Sequence, residues 1–188
     1  KGFDIIGIDV VSIMIENAKK IAQRKKLKID YRIGDATRLN FKDCSFDYVL
    51  FSNQGWTQIP SNRDRLSALN EIYRVLKKDG IFIFSTHKRT FNTQYSCFWI
   101  KRWIRFFILR KLGVDIIEKD FGDIFFDKET TDSVITYKDK QYVHIPSINE
   151  VKKIISKAGF KNLEINNKLP ISNKDLRKTP PVIYVCKK

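Results

Sequence analysis

Two acidic residues stand where strands of a predicted sheet end. Asp9 lies near the end of the apolar stretch FDIIGIDVV, and Asp35 ends the stretch KIDYRIGD. In open α/β sheets, ligands bind at the carboxyl ends of the strands, where an acid can accept hydrogen bonds from ribose hydroxyls. The pattern therefore predicts a nucleoside site. Two alternatives stay open, that Asp9 caps the next helix and that Asp35 is a turn residue after Gly34.

The elements that position these acids alternate between strand and helix. After the strand that carries Asp9, periodicity predicts helices at about 12–25, 61–80 and 147–160. It predicts strands at about 28–35, 46–53, 81–87, 161–166 and 181–187. A polar linker separates the last two strands. This order predicts an α/β fold, a Rossmann-like, mostly parallel sheet with helices on both faces.

Several helix ends carry recognisable signals. Ser12 is a candidate cap for the first helix. The second helix is expected to end at Gly80, with basic residues in its last turn. Ser147 and Glu150 have the spacing of a capping box, and Gly159 suits the end of the last helix.

Residues 88–146 interrupt the alternation. They contain a predicted helix at about 92–112, followed by short strands joined by polar turns. Additions at strand ends vary function on a common scaffold. We therefore predict one domain, residues 1–188, with an insertion at 88–146 before the last helix and strands that forms a substrate lid.

Three segments, taken in order, resemble the class I S-adenosylmethionine-dependent methyltransferases. They are GIDVVSIM, GDATRLNFKDCSFDYVLFSN and ALNEIYRVLKKDGIFIFS, and the resemblance extends through SINEVKKIISKAGF. The ordered set is more specific than any one segment. The resemblance implies a methyltransferase with S-adenosylmethionine as cofactor and, we expect, a small-molecule acceptor. Methyl transfer is an in-line displacement that depends on positioning, so the catalytic residues stay unknown.

The resemblance also implies a role for each matching residue at the cofactor. Asp9 would bind the ribose hydroxyls, and Val10 and Met14 would pack against the adenine, although either could instead be an ordinary core residue. Asp35 would accept from the adenine amino group, and the backbone amide of Ala36 would meet a ring nitrogen. The residues expected beside the methionine moiety are Ser52 and Asn53.

The family carries a strand and a glycine-rich loop that this sequence lacks. Glycine is needed there because a side chain would block the approach of the backbone to the cofactor. No such strand precedes Lys1. We therefore expect a domain truncated at its N-terminus, in which the missing strand would be central and adjacent to the strand that ends in Asp9.

The composition restricts the remaining possibilities. The net charge of +15 favours anionic partners, although a lysine-rich solvated surface is an equal alternative. The three cysteines are far apart and the two histidines stand alone, which argues against a metal site or a disulfide framework. We expect no metal and a cytoplasmic location. No apolar run approaches the roughly 20 residues that a membrane span needs.

Residues 88–111 are both basic and aromatic. They hold seven Lys or Arg residues and no acid, with six aromatic residues from Tyr95 to Phe107 between them. Three interpretations remain open, a lid helix packed on the sheet, a helix at an anionic membrane surface and a surface on which RNA bases stack. The acids in residues 115–139 argue against a continuous nucleic-acid surface.

Two other functions fit part of the sequence. A nicotinamide-dependent oxidoreductase would also place an acid after its second strand, but it explains GDATRLNF and SFDYV less well. A module that binds RNA or membrane without a cofactor would keep only the scaffold. The oligomeric state is left open.

Overall fold

The computed structural model describes residues 2–92, 94–132, 135–167 and 180–188. The elements in chain order are β1 (Ile6–Asp9), α1 (Ser12–Arg24), β2 (Asp30–Ile33), β3 (Phe46–Phe51), α2 (Asn62–Val75), β4 (Leu76–Thr86), α3 (Ser96–Trp103), β5 (Asp123–Asp132), β6 (Ile135–His144), α4 (Ile148–Lys157), β7 (Lys161–Asn166) and β8 (Val182–Lys187). A short 3₁₀ turn, Gly55–Gln58, follows β3. The predicted polar linker lies mostly outside the described residues.

The main sheet has four strands in the order β3-β4-β8-β7. β3 pairs parallel with β4, and β8 runs antiparallel to both of its neighbours, so three of the four strands share one direction. The buried face of this sheet includes Phe82, Phe84 and Tyr184, which pack with Leu69 of α2 and Ile155 of α4. The predicted α/β fold with a mostly parallel sheet is confirmed.

A separate sheet is formed by β1 and β2. The two strands pair parallel, from Ile6 opposite Asp30 to Asp9 opposite Ile33. Among the described strands, none joins this pair to the main sheet, so β1 and β3 each have one strand partner.

The second face of β3 is open to solvent. Tyr48 and Leu50 alternate with the core-facing Val49 and Phe51, and they are 71% and 70% exposed. Alternation along a strand sends successive side chains to opposite faces. The contacts of α2 and α4 therefore cover one face of the main sheet at this strand.

The end of α2 differs from the prediction. The helix stops at Val75, so Lys77 and Lys78 belong to β4 rather than to a last helical turn. Asp79 adopts the left-handed conformation with a φ of 65°. Gly80 has a different constraint, because a Cβ there would lie 2.9 Å from the carbonyl oxygen of Lys77. The glycine marks a close backbone approach instead of a helix end.

The last helix follows its sequence signals closely. Ser147 accepts from the backbone N–H of Glu150, and the Glu150 carboxylate accepts in return from the N–H of Ser147. Gly159 takes a φ of 92°, as a left-handed residue after a helix does. The predicted capping box and helix end are confirmed.

The insertion consists of a helical segment and a hairpin. α3 begins at Ser96 instead of residue 92, and it continues through a π-helical turn, Ile104–Ile108, and a 3₁₀ turn, Leu109–Leu112. β5 and β6 form an antiparallel hairpin in which Asp123 pairs with His144. We refer to Ser96–Leu112 as the α3 segment.

Candidate functional site at the ends of the parallel strands

Asp9 ends β1 and shapes the turn into α1. Its Oδ1 accepts a hydrogen bond of 2.9 Å from the backbone N–H of Val11. Ser12 lies inside α1, whose N-terminus has no side-chain cap, so the predicted Ser12 cap is wrong. Among the described hydrogen bonds, Asp9 uses only this carboxylate oxygen, which leaves the other available to a ligand. The turn role and the predicted ribose role are compatible.

Asp35 lies at the same edge as Asp9. The backbone N–H of Gly34 donates to the carbonyl oxygen of Asp9 at 3.0 Å, which joins the ends of β1 and β2. The Oδ1 of Asp35 accepts from both the N–H and the Oγ1 of Thr37, each at 2.8 Å. The side chain therefore holds a turn, as the alternative interpretation proposed, while its exposed position keeps it accessible to a ligand.

Val10 and Met14 are surface residues beside these acids. Their side chains are 62% and 54% exposed, so the interpretation as ordinary core residues is wrong. Ala36 is half-buried next to Asp35. An exposed apolar shelf beside two carboxylates suits a purine nucleoside, and the assignment of these residues to adenine stays a prediction.

Ser52 and Asn53 follow β3 in a strained loop. Asn53 and Gln54 both have a φ of 53°, the left-handed region that residues other than glycine enter at a cost of about 1 kcal/mol each. Ser52 accepts from the N–H of Gly55, and the N–H of Gln54 donates to Oγ of Ser85 at the end of β4. Such strain persists where surrounding contacts fix the backbone, often at ligand sites.

The predicted site residues form two groups. Asp9, Val10, Met14, Asp35 and Ala36 surround the end of the β1–β2 pair, whereas Ser52 and Asn53 follow the end of β3. No described hydrogen bond connects the two groups. The first group offers the carboxylates and the apolar shelf that a nucleoside requires. The chemistry of these residues therefore fits the adenosine part of S-adenosylmethionine.

A buried polar cluster in the insertion was not predicted. Asp123 Oδ1 lies 2.8 Å from Nδ1 of His144 and accepts from the Tyr142 hydroxyl at 2.8 Å. Arg65 of α2 donates to the Tyr142 hydroxyl at 2.8 Å and to Oδ2 of Asp120 at 2.7 Å. We call these five residues the Asp123 cluster. Arg65, Asp123 and His144 are buried, so the cluster fastens the hairpin to α2.

Burial sets the protonation states in this cluster. It lowers the pKa of His144, and its Nδ1 must carry the proton to donate to Asp123 in the neutral form. Burial alone would raise the pKa of Asp123, but hydrogen bonds from His144, the Asp120 backbone and Tyr142 outweigh it and the net pKa is lowered. Burial also raises the pKa of Tyr142, which stays a neutral donor.

Arg89 makes a second attachment between the insertion and the sheet domain. It donates to the carbonyl oxygens of Ile145 and Phe121, and to the Glu150 carboxylate of α4 at 2.5 Å. Its guanidinium also lies 4.4 Å from the centre of the Phe121 ring. The two ends of the insertion are thereby held together at the start of α4.

Sequence signals for these attachments exist but are weak. Arg65 precedes Leu69 and Ile72 by four and seven residues, the spacing of the buried face of α2. Asp123 and His144 stand 21 residues apart, and only the hairpin register makes them neighbours. An arginine on an apolar helical face is therefore the one feature that the sequence offered.

The described residues hold neither a metal-binding cluster nor a membrane-spanning helix. No three His, Cys, Asp or Glu side chains among them are grouped to hold a metal ion. Within the same residues, no helix has the length and apolar character to cross a membrane.

The fold indicates which class of proteins this chain resembles. Residues 1–84 match the family model described as a methyltransferase domain. A crystal structure of an S-adenosylmethionine-dependent methyltransferase from Methanosarcina mazei superposes with a TM-score of 0.74, at 19% identity, over 100% of this chain and 82% of that chain. The chain has the fold of the class I S-adenosylmethionine-dependent methyltransferases, and the resemblance found in the sequence is confirmed.

Other relatives bear the name methyltransferase as well. The chain is 26% identical over 165 residues to the demethylmenaquinone methyltransferase of Staphylococcus saprophyticus, with 87% of this chain and 62% of the relative covered. A methyltransferase from Burkholderia thailandensis, solved with 1,6-didemethyltoxoflavin and S-adenosylhomocysteine, has a TM-score of 0.61 at 13% identity, over 100% of this chain and 62% of that chain. The chain thus spans less than two thirds of these two relatives.

Proposed function

We propose that this protein acts as an S-adenosylmethionine-dependent methyltransferase on a small-molecule acceptor. The observation that carries the proposal is the pair of acids, Asp9 and Asp35, at one edge of a parallel strand pair in a methyltransferase fold. The same proposal includes the cytoplasmic location inferred from the cysteine usage.

Each group of residues has a distinct task in this proposal. Asp9 holds the ribose hydroxyls, and Val10 and Met14 cover the adenine ring. Asp35 and the Ala36 amide bind the adenine amino group and a ring nitrogen, while Ser52 and Asn53 lie beside the methionine moiety. The cofactor supplies an electrophilic methyl group, and the protein contributes by positioning it against the acceptor.

Two alternative functions account for less of the molecule. A nicotinamide-dependent oxidoreductase shares the acid after a strand, yet the matched family and the related structures are methyltransferases. A scaffold without a ligand gives no reason for two successive left-handed residues, Asn53 and Gln54, at the end of β3.

Calorimetric titration with S-adenosylhomocysteine tests the proposal. We expect binding, and we expect Asp9→Asn to weaken it about tenfold or more, because the variant loses the charge and one acceptor oxygen. Asparagine keeps an oxygen that can accept from Val11, so the turn into α1 is preserved. The matched control is Asp4→Asn, which changes an exposed carboxylate before β1.

The two variants separate the possible outcomes. Weaker binding in Asp9→Asn with normal binding in Asp4→Asn supports the ribose role. Equal binding in both variants would restrict Asp9 to its turn. If the unaltered protein binds no S-adenosylhomocysteine, the proposed cofactor site does not form in this chain.

A further inference from the structure

The α3 segment is attached to the protein along a narrow stripe. Trp99 is buried, and Arg102 and Phe106 are half-buried, at the three-to-four-residue spacing of one helical side. The rings of Trp99, Phe106 and Phe107 lie 6.1 Å, 5.9 Å and 5.3 Å from the ring of Phe121. Nη2 of Arg102 donates to Oε1 of Glu118 at 3.0 Å.

The rest of the segment exposes large apolar side chains. They are 37% to 74% exposed, and we call them the outer apolar face: Phe98, Ile100, Trp103, Ile104, Phe107, Ile108, Leu109 and Leu112. Single exposed apolar residues are ordinary on protein surfaces, but a continuous group of them marks a contact with another apolar phase.

Much of the apolar surface of this segment is left uncovered, unlike that of a normal surface helix. Such a helix turns its apolar side inward and its charges outward. Here Trp99 and Phe106 face inward together with Arg102, which donates to Glu118 and to the carbonyl oxygen of Asp123, while the outer apolar face stays exposed. Because Arg102 is paired with the buried Glu118, the exposed surface of the segment combines apolar side chains with separate basic ones, the composition of an interfacial helix.

The charges near the outer apolar face indicate that its partner is negatively charged. Residues 88–111 contain seven basic residues and no acid. Lys101, Arg110 and Lys111 are exposed, and Arg110 lies over the Phe106 ring with its guanidinium 5.3 Å from the ring centre. Long basic side chains can extend from an apolar layer to anionic headgroups, and tryptophan favours the same boundary.

We infer that the α3 segment lies in the headgroup region of an anionic lipid bilayer. Its 17 residues, Ser96–Leu112, extend about 25 Å at 1.5 Å per residue, and Lys101 and Arg105 stand in the middle. Basic residues at that position favour a helix parallel to the membrane surface. The inference is independent of the methyl transfer proposed above.

RNA suits the outer apolar face less well. Base stacking requires aromatic rings or arginine planes. Five of the eight outer residues are aliphatic, namely Ile100, Ile104, Ile108, Leu109 and Leu112. These five side chains bury favourably among acyl chains and contribute no stacking surface.

Intrinsic fluorescence tests the inference directly. Of the three tryptophans, Trp56 and Trp99 are 2% and 4% exposed and Trp103 is 48% exposed. We expect vesicles of phosphatidylcholine mixed with phosphatidylserine to shift the emission to shorter wavelength, and pure phosphatidylcholine vesicles to do so much less. Trp103→Phe should abolish the shift while keeping the protein on the vesicles in a flotation assay.

A pair of double variants provides the matched comparison. Ile100→Ser with Trp103→Ser removes two outer residues, and we expect vesicle binding about tenfold weaker or more. Leu27→Ser with Leu163→Ser removes two similarly exposed apolar side chains elsewhere and should bind normally. All four positions are exposed, so circular dichroism should report a folded protein in both cases.

Other outcomes would overturn the inference. Equal vesicle binding by the two double variants would exclude the outer apolar face as the contact. Failure of the unaltered protein to float with the anionic vesicles would exclude the bilayer. A dimer in sedimentation that disappears in the Ile100 and Trp103 variant would assign the face to a second copy, and displacement from vesicles by single-stranded RNA would assign it to RNA.

Discussion

The main sheet and the insertion are stabilised in different ways. In the main sheet, apolar side chains meet between the strands and the two helices α2 and α4, and the rings of Phe82 and Phe84 stack with centroids 4.8 Å apart. In the insertion, buried hydrogen-bonding groups such as Asp123 and His144 accompany the aromatic contact of Trp99 with Phe121, and many apolar side chains stay exposed. The two regions therefore differ in how much of their apolar surface is covered.

The difference follows from how much apolar surface each region can remove from water. A four-stranded sheet with two helices removes enough apolar surface from water to stabilise itself. A two-stranded hairpin with one helical segment is marginal by that measure. The insertion therefore relies on directional attachments, chiefly those of Arg65 and Arg89, to the helices of the main domain.

The strongest test removes part of the apolar core. We expect Phe82→Ala to lower the free energy of unfolding by about 3–5 kcal/mol, because it leaves a cavity among fully buried neighbours. Urea denaturation followed by circular dichroism measures the change. A loss below about 1 kcal/mol would contradict the apolar account of the main sheet.

A smaller effect is expected from the attachment at Arg65. Replacement by Met keeps volume but removes the donors to Asp120, Tyr142 and the carbonyl oxygen of Ile59. We expect a loss of about 2–3 kcal/mol, below the range for a fully buried pair, since Asp120 is partly exposed and can be hydrated. Limited proteolysis should cut the insertion first in this variant, whereas Phe82→Ala should expose the whole chain.

The smallest of the three effects is expected from acidification, which should lower the stability through titratable groups of the insertion. The pKa of His144 is lowered in the folded state, so the unfolded state binds a proton more readily and stability falls as the pH drops below about 6.5. Asp123, whose pKa is also lowered, adds a further loss at more acidic pH. His144→Gln keeps a donor for Asp123 and should flatten the decline between pH 7 and pH 5, measured by urea midpoints.

Much of the sheet domain could be predicted from local patterns. Strands such as FDYVLF and helices such as α4 carry periodicity and caps within a few residues of each other, as Ser147 and Glu150 illustrate. Asp9 and Asp35 could be located because each ends a strand that the pattern predicts. The error at the end of α2 arose because two lysines and a glycine fit a helix end as well as the start of β4.

The insertion could not be predicted in the same way. Its Asp123 cluster joins α2 to a hairpin, and Arg65 and Tyr142 are 77 residues apart. Local sequence patterns relate only residues that are close in the chain. They also predict that an arginine lies on the solvent-exposed face of a helix. In the α3 segment this expectation is reversed at Arg102, which faces Glu118.

The three free cysteines differ in exposure, so their reaction with a thiol reagent can report how fast the main sheet opens. Cys186 is buried in β8 within the main sheet, and burial raises the pKa of its thiol to about 12, while Cys97 is exposed on α3. A thiol reagent needs the thiolate and access to it, so the exposed Cys44 and Cys97 react in the folded protein, whereas Cys186 reacts only after the sheet opens. The delay between the reaction of the exposed thiols and that of Cys186 measures how long the core stays closed.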